Sequence, residues 1–318
     1  MKRTLAAAAL LCTAALACAQ PYPAKPIRLV VPYPPGGGTD TVARPLAQKI
    51  SESTGQPVIV DNRGGASEII GTEIVAHAPA DGYTLLLATN AFAINLAYRR
   101  KLPYDPARDF APVSLLITTP LMLVAHPSLP AGSLRELVAL AKSQPGKLNY
   151  ASLGSGTVHH LSMEWLKLVA GIDIVPVPYK GLAPALAAVT AGEVPLTFSG
   201  LTVGLGLVRS GKLRGLAVST PARATAAPEV PSVAESGFPD YDAVAWYGVL
   251  APAGTPVAVV ARINAEIGKA LGTSDLRQRF AAIGVDAAPS SPEALDQLIR
   301  KETALWTRVI QAAGLSAD

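Results

Sequence analysis

Short β-branched runs alternate with helical periods along most of the chain, and glycine-bearing turns join the two. Ile27-Arg-Leu-Val-Val31 is the first such run; a helical spacing follows through Val42, Leu46 and Ile50, with Pro45 tolerable only near a first turn. Strands are expected next at 58–60 and 83–88, with a helix over 69–78 between them. Residues 105–112 read as irregular. A second series opens at 121–125 and continues with strands at 148–151, 172–177, 194–198 and 213–218. Its helices are expected over 133–143, opened by the capping box Ser133-Leu-Arg-Glu136, then 158–170 closed by Gly171, 183–191 and 203–209. A strand at 246–250 and helices near 257–271, 274–283 and 292–313 complete the chain. Alternation of this kind implies parallel sheets covered by helices, because a parallel pair needs a crossover long enough to hold a helix. Two series make two α/β lobes. The closing helices have no strands of their own and are returned to the first lobe, so the chain crosses between lobes near residues 121 and 246, forming a hinge.

Composition narrows the partners. Half of the 318 residues are hydrophobic and 16% are charged, which excludes a disordered chain. The formal charge is +4, with no basic run after residue 3, so nucleic acid is not the expected partner. Lys2 and Arg3 followed by the apolar stretch 5–16 and Ala17-Cys18-Ala19 read as an export signal over residues 1–19. A second reading makes Cys18 the lipidated first residue of a lipoprotein. Cys12 and Cys18 are the chain's two cysteines, so cleavage after residue 19 leaves none. No later apolar run reaches the roughly 20 residues of a membrane span. A periplasmic protein is expected.

The glycines fall where a ligand would sit. Pro35-Gly-Gly-Gly-Thr-Asp40, Arg63-Gly-Gly-Ala-Ser67, Ser152-Leu-Gly-Ser-Gly-Thr157, Tyr179-Lys-Gly181 and Ser199-Gly200 all follow expected strands. The carboxyl ends of strands line the ligand crevice of an open α/β sheet. Glycine allows close backbone approach, and the free N–H groups of a helix start favour an anion. Two lobes facing each other with such loops would hold a small carboxylate.

Enzyme motifs mostly fail. Gly36-Gly-Gly38 lacks the Lys-Ser/Thr of a phosphate-binding loop, and no Gly-x-Ser-x-Gly elbow exists. His159 and His160, adjacent on a helix, point to different faces and make a poor chelating pair. A catalytic His160 with Ser152 or Ser155 as nucleophile is the one remaining enzymatic arrangement, set against a histidine that orders the loop. No cofactor and no metal are expected.

The motifs also resemble a known family. Pro32-Tyr-Pro-Pro-Gly-Gly-Gly-Thr-Asp40 with Ala43-Arg44, Asp61-Asn-Arg63, Ile70-Gly71 and Asp81-Gly-Tyr-Thr-Leu85 are similar to the Bug/TctC extracytoplasmic solute receptors of tripartite tricarboxylate transporters. The likeness continues through Ala151-Ser-Leu-Gly-Ser-Gly-Thr-Val-His-His-Leu161, Pro178-Tyr-Lys-Gly181, Gly211-Lys-Leu-Arg214, Val230-Pro-Ser-Val-Ala-Glu235, Trp246-Tyr-Gly248 and Ala251-Pro-Ala-Gly-Thr-Pro256. It implies a two-lobed type II periplasmic-binding-protein fold, with parallel-dominated sheets and a ligand cleft between the lobes. It also implies that a ligand carboxylate is held by the loops at 33–40 and 152–160, partly through water. Ser67-Glu68 stands where the family shows a loop rich in Gly, Ala and Asn, and Pro195 where an acidic or polar residue is common.

The expected lobes are 20–121 with 247–318, and 122–246. The expected ligand residues on the first lobe are Tyr33, Gly37, Gly38, Thr39 and Asp40, then Ser67 and Glu68, then Thr89. On the second they are Ser152, Gly154, Gly156, Thr157 and His160, with Lys180, Gly181 and Ser199. Asp40 has the alternative of capping its helix, Lys180 of being a solvated lysine, and Glu68 of being an acid at a helix start. The function expected is a non-enzymatic, monomeric receptor for a small organic carboxylate (a dicarboxylate, amino acid or aromatic acid), delivering it to membrane permease subunits. A sensor presenting its closed form to a membrane kinase and a secreted hydrolase are the alternatives.

Overall fold

A computed structural model of the chain describes residues 22–98, 101–154 and 156–316. The export signal and Cys18 lie outside the described residues, as does Ser155. The chain runs through β1 (Ile27–Val31), α1 (Gly38–Thr54), β2 (Val58–Asn62), α2 (Ile69–Ala76), β3 (Thr84–Thr89) and α3 (Asn90–Ala97). The long strand β4 (Phe110–Ala125) leads to α4 (Leu134–Ser143), β5 (Leu148–Ser152), α5 (Val158–Ala170) and β6 (Ile174–Pro178). Next come α6 (Leu182–Thr190), β7 (Leu196–Gly200), α7 (Leu201–Arg209) and β8 (Arg214–Val218). The return strand β9 (Val244–Pro252) precedes α8 (Val257–Gly272), α9 (Ser274–Ala282), the two-residue β10 (Asp286–Ala287) and α10 (Pro292–Ala312).

One strand serves both sheets. Phe110 to Pro120 of β4 pair antiparallel with β9, in the order β10-β4-β9-β3-β1-β2. From Leu121 onward β4 pairs with β7 on one side, and from Met122 with β8 on the other. The parallel pair β5–β6 stands beside β7. The chain therefore passes between sheets at Pro120–Leu121 and again at Ala243–Val244, where Ala243 N–H still bonds Ser219 O while Val244 pairs with Pro120.

The sheets are mixed rather than parallel-dominated. Among the described strands, parallel pairing joins only β1–β2, β1–β3 and β5–β6; a single parallel bridge, Val218 to Ser232, lies outside them. The reason is β9: returning from the second lobe, it inserts antiparallel between β3 and β4. The stretch from Phe110, read as irregular from sequence, is the start of β4; Pro112 and Pro120 obscure a strand whose Val113, Leu116, Ile117 and Leu121 are fully buried. Helix α3 was not foreseen at all; Thr89 caps it, its hydroxyl accepting from Ala91 N–H at 3.2 Å.

Helices α8 and α9 pack on the first sheet through Ile263, Ile267, Leu276 and Phe280. Helix α10 does not stay with that lobe, as the sequence reading expected. Its Leu295 and Ile299 join Val30, Leu86 and Phe92, whereas Leu305, Trp306, Val309 and Ile310 join Leu161 and Phe198 of the second lobe. The periodicity identifies its apolar face but not that the face is long enough to serve two cores. Among the described residues no helix is long and apolar enough to cross a membrane.

Candidate ligand cleft

The loop after β1 is built to hold its own backbone in place. Gly36, at φ +85°, turns the chain into α1, and Asp40 ties the turn down. Its Oδ2 accepts from Gly36 N–H at 2.8 Å and Arg44 Nε at 3.0 Å, and its Oδ1 from Asn62 Nδ2 at 2.8 Å. Burial opposes its charge, yet these donors outweigh burial and hold the carboxyl below its ordinary value. Asp40 is thus spent on bracing and is not on the cleft wall. What the bracing presents is Gly37, Gly38 and Thr39, the start of α1. A Cβ on Gly38 would lie 3.3 Å from the Tyr247 hydroxyl, so glycine lets the two lobe-one elements close up there.

The second lobe offers a matching loop. Thr157 caps α5, its hydroxyl donating to Gly154 O at 2.8 Å and accepting from His160 N–H at 3.3 Å. Gly181, at φ +105°, caps α6 in a conformation that favours glycine. Between these loops and those of the first lobe lies a cleft of about 700 Å³. Its wall includes the N-cap residues of four helices: Gly37 and Thr89 from one side, Thr157 and Gly181 from the other. Each brings N–H groups that have no acceptor within their own helix, and the positive end of a helix dipole. Among the described residues the wall holds no Asp, Glu, Lys or Arg.

Of the residues expected from sequence, the wall brings together Tyr33, Gly37, Gly38, Thr39, Ser67, Thr89, Gly156, Thr157 and Gly181. It does not include Asp40, Glu68, Ser152, Gly154, His160, Lys180 or Ser199. Gly154 accepts the Thr157 hydroxyl and donates to Ser152 Oγ, bracing the loop from behind. Lys180 is exposed to solvent. Ser199 is buried and donates to Gly200 O at 3.0 Å.

His160 is turned into the second lobe. Its Nδ1 lies 2.8 Å from Ser152 Oγ and 2.9 Å from the Tyr150 hydroxyl, which itself donates to Glu164 Oε1 at 2.7 Å. Burial lowers the His160 pKa. Ser152 and His160 do meet, but both are buried off the wall, and one ring nitrogen serves two hydroxyls while, among the described residues, no carboxylate orients the other. That is a loop brace rather than a nucleophile and base. His159 is the histidine on the cleft; burial brings its pKa to about 4, so it is neutral at physiological pH. Sequence reasoning chose the other of the pair. The cap at Thr157 contained the signal, since it makes His160 the residue whose N–H the cap accepts.

Also missed were Asn90 and Ala91 at the start of α3, Leu153, Val158 and Leu182 from the second lobe, and Ala245 and Tyr247 on β9. Asn90 and Ala91 escaped because α3 did.

Glu68 behaves as neither a cap nor a wall residue. It sits at the N-cap of α2 with no side-chain capping bond, in left-handed backbone at φ +77°, following Ala66 at +47° and Ser67 at +52°. Its side chain is buried behind Thr89, whose hydroxyl donates to Glu68 Oε1, while Oε2 has no partner among the described residues. Burial raises its pKa to about 7, against the hydrogen bonds from Thr89 and Tyr33.

Residues 42–315 match the TctC family, described as the tripartite tricarboxylate transporter family receptor. Protein BugT of Bordetella pertussis is 39% identical over 303 residues, covering 95% of this chain and 93% of that protein. A solved structure of R. palustris Rpa4515 with adipate is 37% identical at a TM-score of 0.81, covering 93% of this chain and 99% of that one. MatC (Rpa3494) from Rhodopseudomonas palustris with bound malate is 34% identical at 0.77, covering 91% and 100%. With its two-lobed fold and a cleft rimmed by helix starts, the chain belongs to the TctC family of tripartite tricarboxylate transporter receptors, which are solute-binding proteins and not enzymes.

Proposed function

We propose that this chain captures a small organic carboxylate between its lobes outside the cytoplasm and, as a monomer, delivers it to the membrane subunits of a tripartite tricarboxylate-type permease. The observation that carries the reading is the meeting of four helix N-caps, two from each side, on a wall without ionised side chains. Such a wall holds an anion through backbone N–H groups and hydroxyls, with no ion pair to be broken at release. The adipate and malate bound by two relatives are carboxylates of the size the cleft accommodates. The lobes we assign are 20–121 with 247–318, and 122–246, with the last turns of α10 packed across onto the second. Ligand contacts are assigned to Tyr33, Gly37, Gly38, Thr39, Ser67, Thr89, Gly156, Thr157 and Gly181, joined by His159 and Tyr247.

Two strands connecting two lobes make a hinge, and a ligand that touches both favours the closed form. Calorimetry with a panel of mono- and dicarboxylates and amino acids, followed by small-angle scattering at saturation, tests this. Binding with a reduced radius of gyration is expected. A panel without any binder, or binding with an unchanged radius, overturns the clamp.

A further inference from the structure

The buried carboxylate of Glu68 lies directly behind two hydroxyls of the cleft wall, and an acid in that place decides which way their protons point. Thr89 Oγ1 donates to Glu68 Oε1 and accepts from Ala91 N–H. The Tyr33 hydroxyl stands 3.3 Å from the same Thr89 oxygen. An ionised carboxylate can only accept. It therefore commits the Thr89 proton inward, and Tyr33 donates inward as well, to Thr89 or to the carboxylate. Neither hydroxyl then has a proton for the cleft, and a solute meets lone pairs alone: those of Tyr33, with one of Thr89 where Tyr33 donates to the carboxylate. A protonated Glu68 donates instead, and frees a hydroxyl proton for the cleft.

Among the described residues no cation acts on this carboxylate. The groups whose titration Glu68 influences are Tyr33, Tyr104 and Tyr247, each raised by burial together with its charge. Glu68 itself is acted on by burial, Thr89 and Tyr33, without a cation. Thr72 and Asn95 are further buried neighbours, uncharged, with Asn95 Nδ2 donating to Ser67 O at 2.8 Å. The backbone around Glu68 carries three successive non-glycine residues in the left-handed region, a conformation that costs free energy and is found where a side chain must be presented in one place.

We propose that Glu68 sets the polarity of the first-lobe wall: when ionised it favours a solute with one carboxylate and a hydrogen-bond donor at its far end, such as an amine or amide, and a second carboxylate enters only with the uptake of one proton. The inference rests on the carboxylate-receptor reading above. The proton balance is simple: a dianion and a proton from solvent enter together, the proton residing on Glu68, and no proton moves for the amide. The carboxyl titrates near neutrality, so the effect falls within an accessible pH range.

Calorimetry with adipate and its monoamide, at about pH 6 and about pH 8.5 in buffers of different ionisation enthalpy, tests it on the full mature chain. Adipate affinity should fall about tenfold per pH unit above the Glu68 pKa, with about one proton taken up at the higher pH, while monoamide affinity stays flat. Glu68→Gln should bind adipate with no pH slope and no uptake. Glu68→Gly, which suits the left-handed backbone, should do the same and serves if the glutamine variant does not fold. Adipate binding by the parent that is flat with pH and free of proton uptake overturns the role of Glu68 and leaves the receptor reading intact. Binding of neither compound, nor of any member of the carboxylate and amino-acid panel, overturns both.

Discussion

The side-chain amide of Asn90 donates to Glu302 Oε2 at 2.9 Å, joining the first residue of α3, on the cleft wall, to a helix 212 residues further along the chain. The same oxygen accepts from Trp246 Nε1 at 2.9 Å and Trp306 Nε1 at 3.1 Å, and Asn90 Oδ1 accepts from Trp246 N–H at 2.9 Å. One buried carboxylate thus gathers the return strand, the C-terminal helix and a cleft helix beside the point where the chain changes sheet. Truncation would leave two indole N–H groups and one proton of the Asn90 amide, whose other proton donates to Val244 O at 3.0 Å, without their acceptor, each costing about 1–3 kcal/mol. Glu302→Ala should therefore destabilise the protein by at least about 3 kcal/mol and lower Tm by roughly 5–10 °C. Thermal denaturation checks this; a loss under about 1 kcal/mol would show that the donors find other acceptors.

The pH dependence of that cluster has a definite sign. Burial raises the Glu302 pKa, even against its three donors. A carboxyl raised in the folded state binds its proton more tightly there than when unfolded, so its contribution is fully present below the unfolded value and is lost as pH rises through the folded one. Glu302→Gln should flatten that part of the stability profile. Denaturant midpoints measured from acid to neutral pH on parent and variant would reveal it, and an unchanged profile would assign the slope to other groups.

Thr39 and Lys180 separate two ideas of how the anion is held. Thr39 lines the cleft, and its hydroxyl is buried with no hydrogen-bond partner among the described residues. Thr39→Val keeps the shape and removes only that hydroxyl, so Tm should hold or rise while affinity for a carboxylate falls roughly ten- to hundredfold, the worth of one hydrogen bond to a charged group. Lys180 is exposed and off the wall, and Lys180→Ala should bind as the parent does. Calorimetry giving the opposite ranking would mean that an ion pair holds the ligand.

What could be read from sequence was the local part. β-branched runs ending in glycine loops locate β1, β2 and the helices after them, and the apolar run after Asp81-Gly82 locates β3, because strand and helix periods are written within a few residues. The wall residues Gly37, Thr157 and Gly181 were found for the same reason: a cap is a local event. Long-range facts were not legible. That β4 begins at Phe110 depends on β9, which arrives more than a hundred residues later and supplies its partner. That α10 crosses lobes depends on two cores at once. Asp40 and His160 carried the right chemistry at the right loop ends, but only the folded neighbours Asn62, Arg44, Ser152 and Tyr150 show them turned away from the cleft. Glu68 was visible as an unusual residue; its place behind Thr89 was not.

Ser67 provides a test of the strained loop that does not touch the acid. It is exposed, at φ +52°, and its carbonyl accepts from Asn95 Nδ2 at 2.8 Å. A left-handed conformation costs an L-residue about 1–2 kcal/mol, while a glycine loses about 0.5–1 kcal/mol more backbone entropy on folding. The difference favours glycine, so Ser67→Gly should raise stability by about 0.5–1 kcal/mol and Tm by roughly 1–4 °C. The inward bond between Thr89 and Glu68 does not pass through Ser67, so the pH response of adipate binding should persist in the variant. Stability that falls would mean the serine hydroxyl offsets the strain through a contact of its own. Stability that rises while the pH response disappears would mean that the strain itself holds Glu68 behind the wall.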